Sequence, residues 1–363
     1  MDEWKGILMG IETSFFGKTA GGEIARLYRL YNDYMEMTVT DYGACLVNVW
    51  FRDKRGRFQD IVWGYDTLAE YEENEPNLGA IIGRNANRIG GAEVTVGGVS
   101  YPLEHNDGEN NLHSGSHGYH KRMWEAWTDM NDGEPSVTFL LKSPHMDQGY
   151  PGTAKISVTY TLTTDNKIRI DYQAKADQDT VFNFTNHSYF NLEGQESSSV
   201  MDHVVTIYAD AFTPTDKALI PTGEVRSVEG TPMDFRTEHR IGERIDTDYE
   251  PLVTAGGYDH NWVLDKTPDG TADGVRRAAY VYSDNSGIEM AVDTDLPGIQ
   301  MYTANFLDQE KGKDGHVYPK RSAVCFETQY FPDANHHENF PGTIVKAGET
   351  YRTTTIFSFG RKQ

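Results

Sequence analysis

Residues 155–176 alternate polar and apolar side chains with a period of two on both sides of a turn signal. Ile156, Val158, Tyr160 and Leu162 are apolar, and Lys155, Ser157, Thr159 and Thr161 are polar. After Asp165-Asn166 the pattern resumes with Ile168, Ile170, Tyr172, Ala174 and Ala176. Such a run is a β-hairpin with one buried face. The same reading gives hairpins at Val94–Val96, Gly97-Gly98 and Val99–Tyr101, and at Ala279–Tyr282, Asn285-Ser286-Gly287 and Ile288–Val292. The chain ends on another alternating run, Tyr351 to Phe359. Helical pattern is thin: Leu68–Glu73 and Thr237–Ile245 each predict a short helix. No strand–helix–strand rhythm appears, which argues against a doubly wound parallel sheet. The 21 Tyr, 16 Phe and 35 Gly favour strands joined by tight turns. The expectation is an all-β chain: a large antiparallel β-sandwich with few short helices, its two sheets packed face to face. With no proline-rich linker or repeat, residues 1–363 read as a single domain, with 1–23 an N-terminal extension or first strand.

Charge narrows the partners. Acidic residues number 55 against 33 basic ones, a formal charge of −22. That field repels nucleic acid and anionic membrane, and it disfavours sugar phosphates unless a local basic cluster intervenes. Cys45 and Cys325 are too few and too far apart for a disulfide framework, so both read as free thiols suited to a reducing cytoplasm. No run approaches the ~20 apolar residues of a membrane span, and residues 1–10 lack a signal-peptide core.

Polar islands spread along the chain carry the candidate chemistry. His187 sits in Asn183-Phe184-Thr185-Asn186-His187-Ser188-Tyr189-Phe190-Asn191, and Glu327 ends the apolar run Val324-Cys325-Phe326. As a strand, the first segment would place His187 on one face with Asn183, Thr185 and Tyr189. A histidine and a partly desolvated carboxylate can share acid and base work on one small molecule. The plain alternatives are a core histidine satisfied by a neighbouring amide and an edge-strand glutamate in solvent. Arg84 and Arg88 flank Asn85-Ala86-Asn87, a dense donor array in which one arginine can be structural and the other ligand-facing. His113, His117 and His120 lie among glycines and serines, which removes the helical spacing of known zinc motifs; no metal is expected there. Asp259, after Gly256-Gly257-Tyr258, suits a ligand-contacting loop or a turn cap. Gln300 could place an amide on the same cleft or face solvent. No phosphate loop, dinucleotide fingerprint or GxSxG elbow is present, so no cofactor is expected. Together the islands suit a neutral, hydroxyl-rich ligand.

These motifs, taken in order, resemble the aldose 1-epimerase (galactose mutarotase) family. The matching stretches include Gly83 to Ile89, Asn111-Leu112-His113, Thr185 to Leu192, Thr231 to Phe235, Tyr258-Asp259-His260, Pro297 to Thr303 and Glu327-Thr328-Gln329, and the likeness runs from about Ile24 to Phe359. The resemblance implies a large antiparallel β-sandwich, a sugar in a shallow cleft and no cofactor. It implies Glu327 as general base, His187 as general acid, and Asn87, Arg88, His113, Asp259 and Gln300 as sugar contacts. Ser114 stands where family members often have glycine, and Tyr119-His120 replaces a common Phe-Asp pair.

The activity so implied is interconversion of the α and β anomers of a free aldose by a cytoplasmic isomerase, monomer or homodimer, with galactose, glucose, xylose and a reducing disaccharide all compatible. The rivals are a carbohydrate-binding protein without turnover, a hexose-phosphate epimerase, and a glycosidase. The first has no use for both His187 and Glu327, the second wants basic residues around the cleft, and the third needs two carboxylates ~5–9.5 Å apart.

Overall fold

The alternating run at 155–176 forms the hairpin its pattern demands. In the computed structural model, which describes residues 9–265 and 274–362, Ala154–Leu162 and Lys167–Ala176 pair antiparallel with Leu162 opposite Ile168. Their apolar positions are buried and the intervening ones largely are not. The other two hairpins form with turns at Gly97-Gly98 and Asn285-Ser286-Gly287. Gly97 and Gly98 both lie at positive φ, +60° and +79°, which a two-residue turn of this hand requires.

Non-local pairing then assembles the sheets. The final strand, Thr350–Arg361, lies between Lys167–Ala176 and Ile288–Thr294 and so joins the two hairpins into one nine-stranded sheet. A six-stranded sheet runs Tyr189–Phe190, Val324–Gln329, Gly298–Tyr302, Asp259–Val263, Ala211–Thr213, Arg226–Ser227. A third sheet of five strands is built by Gly10–Lys18, Ile24–Tyr31, Met35–Thr40, Leu46–Arg52 and Phe58–Asp60. One core cluster joins side chains of all three: Val158, Ile170 and Phe357; Ile299, Met301 and Phe326; Leu30, Met37 and Val49. The architecture is an antiparallel β-sandwich.

Two local expectations need correction. Thr237–Ile245 is not one helix: His239–Arg240 adds a strand beside Val204-Val205, and only Ile241–Arg244 is helical. Nor is the His187 segment one strand. Thr185–Asn186 pairs with Ile81–Ile82, whereas Tyr189–Phe190 pairs with Val324-Cys325. The chain changes partners at His187-Ser188, and nearly every residue from 181 to 192 is buried on both sides. Its asparagines supply the hydrogen bonds that a broken ladder lacks. Asn191 Nδ2 donates to the carbonyls of Ser197, Ser199 and Ser322, Asn186 Nδ2 to that of Gly79, and Asn183 Oδ1 accepts from Tyr330 N–H. These amides are structural.

Arg84 is structural as well. Its fully buried guanidinium donates to the carbonyls of Pro151 (2.7 Å), Gly152 (3.0 Å) and Pro144 (3.3 Å) and to the hydroxyls of Thr180 and Ser143. Arg84→Met would leave those acceptors dry and unpaired. Its expected cost is about 3–5 kcal/mol of unfolding free energy, read by urea denaturation.

Candidate active site

One face of the six-stranded sheet supplies half of a cleft. Gln300 lies opposite Glu327 in the ladder, and Tyr302 opposite both Cys325 and Asp259. Residues two apart on a strand share a face, so Cys325 and Glu327, Gln300 and Tyr302, and Asp259 all project to the same side. Loops supply the other half. Asn87 and His113 hold left-handed backbones, with φ of +65° and +52°, a conformation asparagine tolerates better than most residues. Their backbones pair, His113 N–H donating to Asn87 C=O at 3.2 Å. Ser114, also left-handed at φ +68°, closes the same turn. Its hydroxyl accepts from Asn85 N–H and donates to Asn85 C=O, which offsets what a non-glycine residue costs there.

The resulting cavity, of about 200 Å³, is lined by Asn87, Arg88, His113, His187, Asp259 and Glu327 together with Tyr189 and Tyr302. His187 Nε2 and Glu327 Oε2 stand 3.7 Å apart although 140 residues separate them in the chain. Both are buried, and Glu327 Oε2 has no hydrogen-bond partner among the described residues. Burial pushes the Glu327 carboxyl well above the usual carboxylate range; Asp259 adds to this, and Arg88 opposes it. Burial pushes the His187 imidazole down to about 4, against the pull of its own carbonyl and of Asp259. Each group is therefore biased toward its neutral form, and each resists that bias through a different charged neighbour.

Arg88 donates Nε–H to Asp107 at 2.8 Å and lies 3.8 Å from Asp259. Asp259 in turn accepts from Gln300 Nε2 at 2.7 Å. Gln300 is buried and is not among the side chains lining the cavity; it reaches the cleft through Asp259. Asn87 Oδ1 takes Arg88 N–H, leaving its amide nitrogen free for a ligand.

The hydrogen bonding of His113 fixes its tautomer. Asn87 N–H donates to its Nδ1 at 3.1 Å, and a backbone N–H can only donate. The ring proton is then on Nε2, and burial keeps the imidazole neutral by pushing its pKa well below normal. His113, His187 and Glu327 bring possible ligand atoms within 4.8 Å of one another, a spacing a divalent cation could bridge. The outward nitrogen of His113 carries a hydrogen and offers no lone pair, so His113 is built to donate to a ligand oxygen.

The aldose 1-epimerase family profile matches residues 26–358. The chain belongs to the aldose 1-epimerase family. It is 39% identical over 354 residues to galactose mutarotase from Sus scrofa, covering 97% of this chain and 99% of that one. It is 34% identical over 341 residues to aldose 1-epimerase from Escherichia coli strain K12, covering 93% and 96%. Among solved structures, galactose 1-epimerase from Lactobacillus acidophilus superposes with a TM-score of 0.84 at 25% identity, over 98% of this chain and 100% of that one.

Within this aldose 1-epimerase family member, sequence reasoning missed the aromatic and rim residues of the cleft. Tyr189, Tyr302, Phe306, Leu307 and Glu75-Pro76-Asn77 all line it. Tyr302 was findable, since a strand through Gln300 puts residue 302 on the same face. Glu75 to Asn77 carry no such signal; they follow the helix Leu68–Glu73, and Tyr189 OH holds them by donating to Pro76 C=O at 3.0 Å.

Proposed function

We propose that this chain interconverts the α and β anomers of a free aldose, with Glu327 as general base and His187 as general acid. The observation that carries the reading is the 3.7 Å approach of Glu327 Oε2 to His187 Nε2 in a cleft that also presents Asn87, Arg88, His113 and Asp259. Glu327 takes the proton of the C1 hydroxyl as His187 gives one to the ring oxygen, and the C1–O5 bond breaks. Rotation about C1–C2 turns the other carbonyl face inward. The reverse transfers close the ring as the opposite anomer, so nothing is consumed. Each positioned acid or base contributes ~10²–10⁴-fold, enough for this reaction without a further group.

Arg88, Asn87, His113 and Asp259 would hold the hydroxyls. Arg88 and Asp259 also act on the reacting pair: the guanidinium favours the Glu327 anion and the carboxylate favours the His187 cation, which is the charge-separated state the ring-opening step starts from. Gln300 would act by fixing Asp259. The plain substrate is an uncharged sugar, because the one guanidinium that lines the cleft among the described residues is already engaged with Asp107 and Asp259. The buried free thiols support a cytoplasmic setting, and a monomer or homodimer of one such unit would suffice. No helix among the described residues is long and apolar enough to cross a membrane.

Polarimetry of freshly dissolved α-glucose and α-galactose tests the reading. Enzyme is expected to speed the approach to the equilibrium rotation without changing its end point. Rates equal to those of buffer alone, for these and for xylose, would overturn it. Asp259→Asn is expected to raise KM roughly tenfold by weakening charge-assisted hydrogen bonds, measured in the same assay.

A further inference from the structure

His187 must do more than sit near Glu327. For Nε2 to give a proton to the ring oxygen and take it back, the neutral ring must carry its hydrogen on Nδ1. In many enzymes a carboxylate accepts that hydrogen and stabilises the imidazolium. Here, among the described residues, no carboxylate is hydrogen-bonded to Nδ1. The Cys325 sulfur is, at 3.7 Å, from the same strand face that carries Glu327 two residues on. The His187 carbonyl lies near the same edge of the ring; it accepts Gly79 N–H at 3.0 Å and has one lone pair left to share the Nδ1 hydrogen with the sulfur. Tyr189 packs along one side of the ring at 5.0 Å, and His113 and Tyr302 meet it edge-on at 5.3 and 6.4 Å. None of these three rings offers Nδ1 an acceptor.

We propose that Cys325 is a positioning residue for this reaction: its sulfur accepts the Nδ1–H of His187, holding the ring in the tautomer whose Nε2 exchanges a proton with the substrate. The assignment rests on the acid–base reading of His187 given above. Burial keeps Cys325 a thiol, and thiol sulfur is a weak acceptor. It selects the tautomer without stabilising the cation as a carboxylate would, so the imidazolium remains a strong acid. The step is a simple transfer: Nε2–H passes to the ring oxygen as the C1–O5 bond breaks, and Nδ1 keeps its hydrogen throughout. His113 is the counterpart, held in the opposite tautomer by Asn87 N–H. The two neighbouring imidazoles are thus assigned different tasks, one to exchange a proton and one to donate a fixed hydrogen bond.

Nitrogen-15 NMR of histidine-labelled full-length protein at neutral pH tests this without any substitution. His187, assigned by the signal lost in His187→Asn, is expected to carry hydrogen on Nδ1 and none on Nε2; His113 gives the reverse pattern in the same spectrum. Cys325→Ala is expected to show mixed tautomers at His187 and to lower kcat roughly tenfold with KM unchanged. Cys325→Ser, whose hydroxyl also accepts, should restore both the tautomer and most of kcat. A wild-type His187 protonated on Nε2 would overturn the proposal, as would Cys325→Ala with wild-type kcat. If that happened while Glu327→Gln remained inactive, only the role of Cys325 would fall; an active Glu327→Gln would instead remove the reading beneath it.

Discussion

Glu327→Gln is expected to bind sugar normally and to lose on the order of 10²–10⁴ in kcat. At 1.36 kcal/mol per decade that is about 3–5 kcal/mol of transition-state stabilisation. The amide keeps the size of the side chain and an oxygen to accept from the C1 hydroxyl, so KM should move less than threefold. It cannot take the proton. The same change should leave the fold as stable or make it more so. Glu327 is buried with one carboxyl oxygen unpartnered among the described residues; above its unfolded pKa, folding must either protonate it or bury its charge, and an amide meets neither cost. A higher melting temperature together with lost turnover is the signature of a group kept for chemistry at the expense of stability. Polarimetry and thermal unfolding on one preparation read both. Turnover within threefold of wild type would remove Glu327 from the mechanism.

The two outcomes at Glu327 illustrate what the sequence could and could not reveal. Its residue type and apolar approach, Val324-Cys325-Phe326, pointed to a desolvated carboxylate, and the local alternation at 155–176 or 288–292 gave strands and turns at once, because both depend only on neighbours in the chain. The 3.7 Å approach to His187 depends on Tyr189–Phe190 pairing with Val324-Cys325, a contact between segments far apart in sequence that no local pattern encodes. The asparagines around His187 are spent mainly on backbone groups, because the chain changes sheets there. Arg84 and Arg88 were expected to divide between structure and cleft, but only the fold shows which is which. The helix Glu250–Ala255 was missed although Pro251 opens it and Gly256, at φ +64°, closes it; six residues are too few to display a helical period. Resemblance to a family supplied the long-range part, since an ordered set of short motifs carries the fold that brought them together.

Replacing His187 should change the sign of the pH dependence as well as the rate. The working pair shares one proton, and burial of both groups favours placing it on Glu327. Catalysis needs the other arrangement, with Glu327 ionised and His187 protonated, so the active form is a minor species of the singly protonated pair. A second proton added at low pH silences the base, and loss of the only proton at high pH silences the acid. The wild-type profile is therefore a bell whose limbs belong to the pair, and its alkaline limb lies at the raised carboxyl pKa. In His187→Asn only the base remains. Its residual activity, ~10²–10⁴-fold below wild type, should rise with pH through the raised Glu327 pKa, where wild-type activity falls. In Glu327→Gln only the acid remains, and residual activity should fall as pH rises through about 4, the depressed value of His187. Profiles of kcat for the three proteins, taken by polarimetry over the stable pH range and corrected for the buffer rate, decide the matter. A His187→Asn profile that keeps the wild-type alkaline decline would show that the proton lost there is not the one these two side chains share.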